Sequence, residues 1–375
     1  MVDQKLLQEY ELAGEMPRRF QLIGRMTYGA YLCKASATAP TISSSGRTLR
    51  TGSAATPMAK KSSDATHFFK VSWPEDDRRP EGEIIKEVDK RIQEHNKKHR
   101  SSVENHIPLV IDMARVPGTS TAIIRSLLGL PTLGSRSQYC MISKKLLSLS
   151  DILSNFDEFK RMFWEIIRCM SFPMPVYASS ISSSGHRLLW AMGISHGDIS
   201  FNNLMYNPET RHGILNDFDL ASVMEPGTNI PQKIGHRRTG TLVFMAMEML
   251  KDENIGGCVA RRYHHELESF VWVLLWAGLS ERDYRHKHIL QWVDLTPMEV
   301  YKWKATWLVD LGSKLKEMKE SESPYYALLQ PCLRSWALLA VSPPDKEEDR
   351  GSELLEAFRA AWTKETEEWM TEFSF

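Results

Sequence analysis

An α+β fold is predicted from the order in which three patterns appear along the chain. Short apolar and β-branched segments fall within the first 142 residues, separated by glycine- and serine-rich connections. From residue 143 onward apolar residues recur mainly at three- and four-residue steps, as on helices that bury one face. Between helices stands a polar loop, His196-Gly197-Asp198-Ile199-Ser200-Phe201-Asn202-Asn203, followed by Asp217-Phe218-Asp219. It gathers carboxylates and amides where packing alone has no use for them.

Residues 1–19 are polar and read as a partly helical lead-in. From Phe20 the run Leu22-Ile23-Gly24-Arg25-Met26-Thr27-Tyr28-Gly29-Ala30-Tyr31-Leu32 predicts two short strands around a glycine turn. Small residues there let backbone N–H groups approach phosphates, so Gly24 and Gly29 are candidate nucleotide contacts. Residues 35–66 are rich in Ser, Thr, Ala and Gly and cannot bury enough apolar surface to offset their ordering entropy, which predicts a disordered insertion. His67-Phe68-Phe69-Lys70-Val71-Ser72-Trp73 predicts a strand whose lysine points to solvent or to a buried anion. After Pro80, residues Glu81, Ile84, Ile85, Val88 and Ile92 share one helical face. An acid on that face needs a cationic partner. Glu81 is the first choice for Lys70 and Glu83 the alternative.

Ile107 to Ile111 and Gln138 to Ile142 predict two more strands, with mixed loop and short helix over 117–136. Phe156, Phe159, Met162, Phe163, Ile166 and Ile167 predict a strong amphipathic helix, and helix resumes at His186 to Ala191 before the polar loop. Glu266 to Trp276 is apolar on nearly every side, as expected of a helix at the centre of a domain. Further helices run to about Ala340, a polar linker covers Pro343 to Arg350, and Leu354, Leu355, Phe358 and Trp362 mark a last helix.

The polar loop carries a specific chemistry. Asp198 and Asn203 are five positions apart, and Asp217 stands nineteen residues after Asp198. Phosphoryl transfer from a nucleotide uses one Asp to take the hydroxyl proton, and an Asn and a second Asp to hold Mg²⁺. The spacing fits HxDLxxxN followed by DFG. Glu248, thirty-one residues past Asp217, ends the stretch Gly240-Thr241-Leu242-Val243-Phe244-Met245-Ala246-Met247-Glu248, which resembles the GTxxYMAPE that closes a kinase activation segment. Together, and in the wording HGDIS and NDFDLAS, these residues resemble the fungal-type protein kinase family over roughly residues 20–340, most strongly over 193–276.

The resemblance implies a bilobal protein-kinase-like fold. A β-rich N-lobe with one main helix would span 20–142 and a larger helical C-lobe 143–342, with 343–375 as linker and C-terminal helix. It implies ATP and Mg²⁺ as cofactors and a protein Ser/Thr hydroxyl as acceptor. Asp198 becomes the general base, Lys70 the ligand of the α and β phosphates, Glu81 its ion-pair partner, and Asn203 and Asp217 the metal ligands. Backbone groups near Met141 to Ser143 are expected at adenine. His196 is expected to be a buried support of the loop and Phe218 a packing residue. Several departures accompany the match. Met26 replaces the middle glycine of the phosphate loop, Gly197 an arginine that clasps a phosphorylated activation loop, Ser200 a phosphate-binding lysine, Asp219 the glycine after Phe218, and Met247 the proline of the closing APE. Glu266 stands where kinases place an Asp that holds the catalytic loop. Without the arginine, activity is not expected to depend on phosphorylation between Leu220 and Thr239.

Lys plus Arg equals Asp plus Glu at 47 each, which gives no support to a nucleic-acid or membrane-surface role. Five scattered cysteines lack CxxC spacing and indicate neither a zinc site nor a disulfide framework. The longest apolar run, Phe270 to Leu279, is ten residues, too short to cross a bilayer, and no signal-peptide pattern opens the chain. A cytoplasmic or nuclear location is expected, with protein substrate and nucleotide as partners, no nucleic acid or membrane partner, and an open oligomeric state. Two other readings stay open. A small-molecule phosphotransferase of the aminoglycoside or choline kinase kind shares the HGD and acidic-end wording, but lacks a segment like GTLVFMAME. A weak or inactive scaffold is favoured by Met26, Ser200 and Glu266 and opposed by Lys70, Asp198, Asn203 and Asp217.

Overall fold

The computed structural model describes residues 10–15, 27–34, 65–99, 106–170, 188–224, 240–251, 260–280, 295–320, 323–344 and 347–363. Gly24, Met26, nearly all of the serine-rich insertion, the 171–187 segment and the 225–239 segment with Thr228, Arg237, Arg238 and Thr239 lie outside them. The chain divides into two compact units. One comprises 1–82 and 108–146, the other 83–107 and 147–375.

The first unit is built on a five-stranded antiparallel sheet. Its strands are β1 (Tyr10–Glu15), β2 (Thr27–Lys34), β3 (His67–Ser72), β4 (Val110–Arg115) and β5 (Tyr139–Lys144), in the order β1-β2-β3-β5-β4. The lead-in expected to be helical thus contributes a strand. Tyr10, Leu12 and Gly14 alternate with Glu11, Ala13 and Glu15, a two-residue period too short and too polar to stand out. Gly29 lies inside β2 opposite Lys70, not in the turn where it was expected. The insertion also ends earlier than residue 66: Ala65 is buried, and the Thr66 amide donates to Leu32 O at 3.0 Å, extending the β2–β3 ladder.

Met141 to Ser143 are laddered to β3 on one side and β4 on the other. A strand paired on both edges has its backbone donors and acceptors engaged, so the expectation that these groups meet adenine is overturned. The β4–β5 connection contains the short helix Ala122–Leu127 and is pinned through Asp76, which accepts from Ser120 at 2.7 Å, Ser137 at 2.5 Å and Arg115 at 3.2 Å. Ile123, Ile124, Leu127, Leu128, Leu130 and Leu133 of this connection are half or more exposed.

The second unit is mostly helical. At its centre the helix Tyr263–Ser280 is buried along most of its length. Phe270 meets Phe163 of the Phe156–Met170 helix edge-on at 5.8 Å, and Trp272 meets Trp336 of the Tyr326–Val341 helix at 4.7 Å. A Cβ on Gly278 would stand 2.8 Å from Leu329 Cδ1 and 3.0 Å from Tyr325 Cβ, so glycine lets these helices approach closely. The last helix, Glu347–Thr363, starts inside the expected linker and belongs to this core. Leu354, Phe358 and Trp362 are buried, and Trp362 donates to Lys160 O at 2.8 Å. Five short strands sit on this scaffold: β6 (Leu147–Ser148), β7 (Ile194–Ser195), β8 (Leu204–Asn207), β9 (His212–Leu215) and β10 (Ser222–Val223). β6, β8 and β9 form one small sheet, and β7 pairs with β10. Among the described residues no helix is long and apolar enough to cross a membrane.

Candidate active site

The β7–β10 and β8–β9 pairings place the polar loop beside Asp217. Ser195 lies opposite Ser222, Leu204 opposite Leu215, and the Asn216 amide donates to Asn203 O at 2.8 Å. Within the loop, the Asn203 and Leu204 amides donate to Ser200 O at 3.0 and 3.2 Å. Asn203 Nδ2 donates to Asp198 O at 2.8 Å. With its NH₂ committed there, the amide presents its oxygen as an acceptor. Asn202 is exposed and Ser200 is buried.

Asp198 Oδ1 accepts the Thr241 amide at 2.8 Å. Burial raises the pKa of this carboxyl, the Thr241 amide opposes the rise and the nearby Asp217 charge adds to it. Asp217 has φ 65° and ψ 71°, the left-handed region that non-glycine residues seldom occupy. Strain of this kind is held where the surroundings over-determine it, and it concentrates at functional sites. Phe218, directly after it, is fully buried against the His196 ring at 4.8 Å.

His196 is itself buried, and burial lowers its pKa. Its Nδ1 accepts the Asp198 amide at 3.3 Å, which leaves Nε2–H to donate to Asn216 O at 3.0 Å. The neutral ring therefore joins the loop to the strand end that carries Asp217. Glu266 holds the same loop from the central helix, with Oε1 accepting Ser195 Oγ–H at 2.7 Å and the Gly197 amide at 2.9 Å. From the helix Glu81–His99, Arg91 Nη1 donates to Met192 O at 2.6 Å and Met224 O at 3.2 Å, both at one end of the β7–β10 pair.

In the first unit Lys70 is buried in β3 and donates to Glu81 Oε2 at 2.7 Å. Glu83 is exposed. A Cβ on Gly82 would meet Met113 Sδ at 2.3 Å and Tyr139 Oη at 2.6 Å, so a glycine after Glu81 lets the helix start lie against the sheet. The buried ion pair has no independent claim to stabilise the fold, since desolvation offsets its attraction, but loss of either partner strands a buried charge.

The segment after Gly240 is anchored to the central helix. The Met247 amide donates to Glu268 Oε1 at 2.9 Å, and Glu248 Oε2 lies 3.1 Å from His265 Nε2, 3.5 Å from His264 Nε2 and 3.5 Å from Arg350 Nη1. The ligand atoms of Glu248, His264 and His265 all lie within 4.8 Å of one another, a spacing a metal ion could bridge. A ligating histidine normally donates its other ring N–H. His265 Nδ1 instead accepts the Arg262 amide at 3.1 Å, so Nε2 carries the proton and donates to Glu248.

Burial lowers the His265 pKa to about 4, with the Glu248 bond opposing. The folded chain therefore binds this proton more weakly than the unfolded chain. The contribution to stability is present above the ordinary value of 6.5 and is lost as pH falls toward about 4. Its full size is roughly 3 kcal/mol. Buried His196 acts in the same direction. Thermal unfolding followed between these two pH values is expected to show a falling midpoint, with a shallower fall in His265→Gln.

Sequence reasoning missed Arg91, Glu268 and Lys304. Lys304 lies at four- and three-residue steps from Val300 and Trp307 on the buried stripe of the Pro297–Val309 helix. A charge on an apolar stripe, the signal that singled out Glu81, marks it too.

Residues 181–277 match the family model described as fungal protein kinase. The match spans the polar loop, Asp217, the Gly240–Glu248 segment and most of the central helix, a narrower stretch than the 20–340 of the expected resemblance. A solved structure, the Cydia pomonella granulovirus kinase PK-1, aligns with 10% identity and a TM-score of 0.37, covering 72% of this chain and 70% of that one. No curated protein matches the chain.

Proposed function

We propose that the chain transfers the γ-phosphoryl group of ATP, with Mg²⁺, to Ser or Thr hydroxyls of protein substrates. The observation that carries this reading is the single hydrogen-bonded unit formed by Asp198, Asn203 and the strand end bearing Asp217. Asp198, with its pKa raised by burial, is suited to accept or orient a hydroxyl proton. Asn203 and Asp217 offer hard oxygen donors of the kind that suit Mg²⁺. When bound there, the ion supplies charge that offsets the phosphates. Lys70, held by Glu81, is assigned to the α and β phosphates. The family match over this loop supports a kinase-type phosphotransferase.

A protein acceptor is favoured over a small molecule by the Gly240–Glu248 segment, whose Thr241 amide reaches Asp198 itself. The test supplies labelled ATP and Mg²⁺ with casein, with a Ser/Thr peptide mixture, and separately with kanamycin and choline. Label on protein Ser or Thr is expected. Label on kanamycin or choline alone would place the chain among small-molecule enzymes, and ATP binding without transfer would mark a scaffold.

A further inference from the structure

Lys304 is fully buried, yet its neighbours Val300 and Trp307 on the same stripe are apolar. A hydrophobic residue of like volume would avoid the cost of desolvating an ammonium. The charge therefore needs a role that packing does not supply. Lys304 Nζ donates to Met245 O at 2.5 Å and lies 4.2 Å above the Trp272 ring. Burial pulls its pKa down to about 7 against the opposing charge of Glu268. Glu268 itself accepts the Met247 amide at 2.9 Å and Trp272 Nε1–H at 3.0 Å. The Lys304 amine thus grips the carbonyl of Met245 while the Glu268 carboxyl group grips the amide of Met247, two residues on.

From Met245 the hydrogen bonds run back toward Asp198. The Met245 amide donates to Leu242 O at 3.2 Å, the Phe244 amide to Thr241 O at 2.9 Å, and the Thr241 amide to Asp198 Oδ1 at 2.8 Å. The turn is only Leu242–Phe244, so a shift at one end is transmitted to the other. At the start of the turn, Gly240 has φ 140°, and a Cβ on it would stand 3.1 Å from Met245 Cε. Gly240 and Met245 are therefore in close contact across the turn.

We propose that Lys304 is a positioning residue of the phosphotransfer centre: its hold on the Met245 carbonyl sets the turn that presents the Thr241 amide to Asp198. The assignment rests on the reading of Asp198 as the proton acceptor. Lys304 acts through the backbone of 241–245 and touches neither nucleotide nor acceptor in this role.

The test compares wild type with Lys304→Met, which keeps the apolar stem over Trp272 and removes the donor, in the full chain. Hydrogen exchange is followed by mass spectrometry over peptides covering 240–247 and 263–280, and transfer to casein is measured with ATP and casein varied in turn. Exchange over 240–247 is expected to quicken by about tenfold or more while 263–280 keeps its protection. The kcat on casein should fall by about tenfold or more, with KM for ATP within about twofold, since misplacement near the reacting atoms acts on kcat. Unchanged exchange over 240–247, or the same acceleration in both segments, overturns the proposal, the second outcome leaving Lys304 only a general structural role. If wild type transfers no phosphate to casein, the kinase reading loses its support and the exchange data alone decide whether Lys304 sets this turn. Lys304→Gln, which keeps a shorter donor, is expected to recover part of both effects, and it carries the same test should the Met variant not fold.

Discussion

Glu266→Ala is expected to reduce phosphate transfer by roughly two to three powers of ten, and to cost roughly 2–5 kcal/mol of stability, as leaving two buried donors without their acceptor does. Glu266 Oε1 is the acceptor for both Ser195 Oγ–H and the Gly197 amide, and all three residues are buried. Alanine leaves two donors without this acceptor in a site where solvation cannot replace it. Both donors stand just before Asp198 in the loop, so the carboxylate loses its placement along with them. Glu266→Gln retains an acceptor oxygen at the same reach and is expected to keep most of the activity. Urea unfolding and initial rates on the two variants check both halves. Equal damage in Gln and Ala would show that charge, and not the hydrogen bonds, is what the loop requires.

Gly197→Ala is the second large effect. The φ of Gly197 is +85°, and a Cβ there would stand 2.4 Å from Leu220 O and 3.0 Å from Leu220 C. Both are backbone atoms of the turn Phe218–Leu220 that follows Asp217, so they cannot swing aside as a flexible side chain would. The change is expected to destabilise the fold by roughly 2–5 kcal/mol through left-handed strain and overpacking, and to lower transfer by about a hundredfold through displacement of Asp217. Gly197→Arg, which supplies the arginine that the kinase resemblance leads one to expect, should do at least as much harm. The missing arginine therefore has a steric cause: in this chain the position is closed to any side chain. Thermal unfolding and transfer rates of the Ala variant are the measurements, and wild-type values for both would refute the steric account.

The fold and the site are legible in the sequence only where a residue leaves a physical signal along the chain. The β3 strand, the Phe156–Met170 helix and the central helix announce themselves through period and continuous apolarity, and the structure has an element at each place. Glu81 could be singled out because an acid on an apolar stripe demands a partner, and the structure puts Lys70 there at 2.7 Å. Tyr10–Glu15 leaves no comparable trace. It is six residues long and carries two glutamates and a glycine, and its pairing with β2 shifts register between Leu12 and Gly14. The adenine expectation for Met141 to Ser143 failed because apolar order along a chain cannot tell a strand paired on both edges from one with a free edge.

Other features depend on three-dimensional proximity alone. No spacing rule reveals that Leu220 O occupies the place of a Gly197 Cβ, or that the Thr241 amide reaches Asp198 across forty-three positions. Lys304 was visible in principle, as a lysine in step with Val300 and Trp307, but what it grips was not. The aliphatic side chains exposed on the β4–β5 connection read equally well as core until the fold turns them outward.

The most direct test of the phosphotransfer centre is the initial rate of label transfer from γ-labelled ATP to protein, with Mg²⁺, for wild type and Asp198→Asn, each at saturating nucleotide and with nucleotide binding measured in parallel. Asparagine keeps the size of the side chain and an oxygen for the Thr241 amide but cannot take up the proton. The predicted result is binding close to wild type with transfer lower by roughly two to four powers of ten. Transfer by Asp198→Asn at the wild-type rate would contradict the assignment of Asp198, and with it the centre built around that residue.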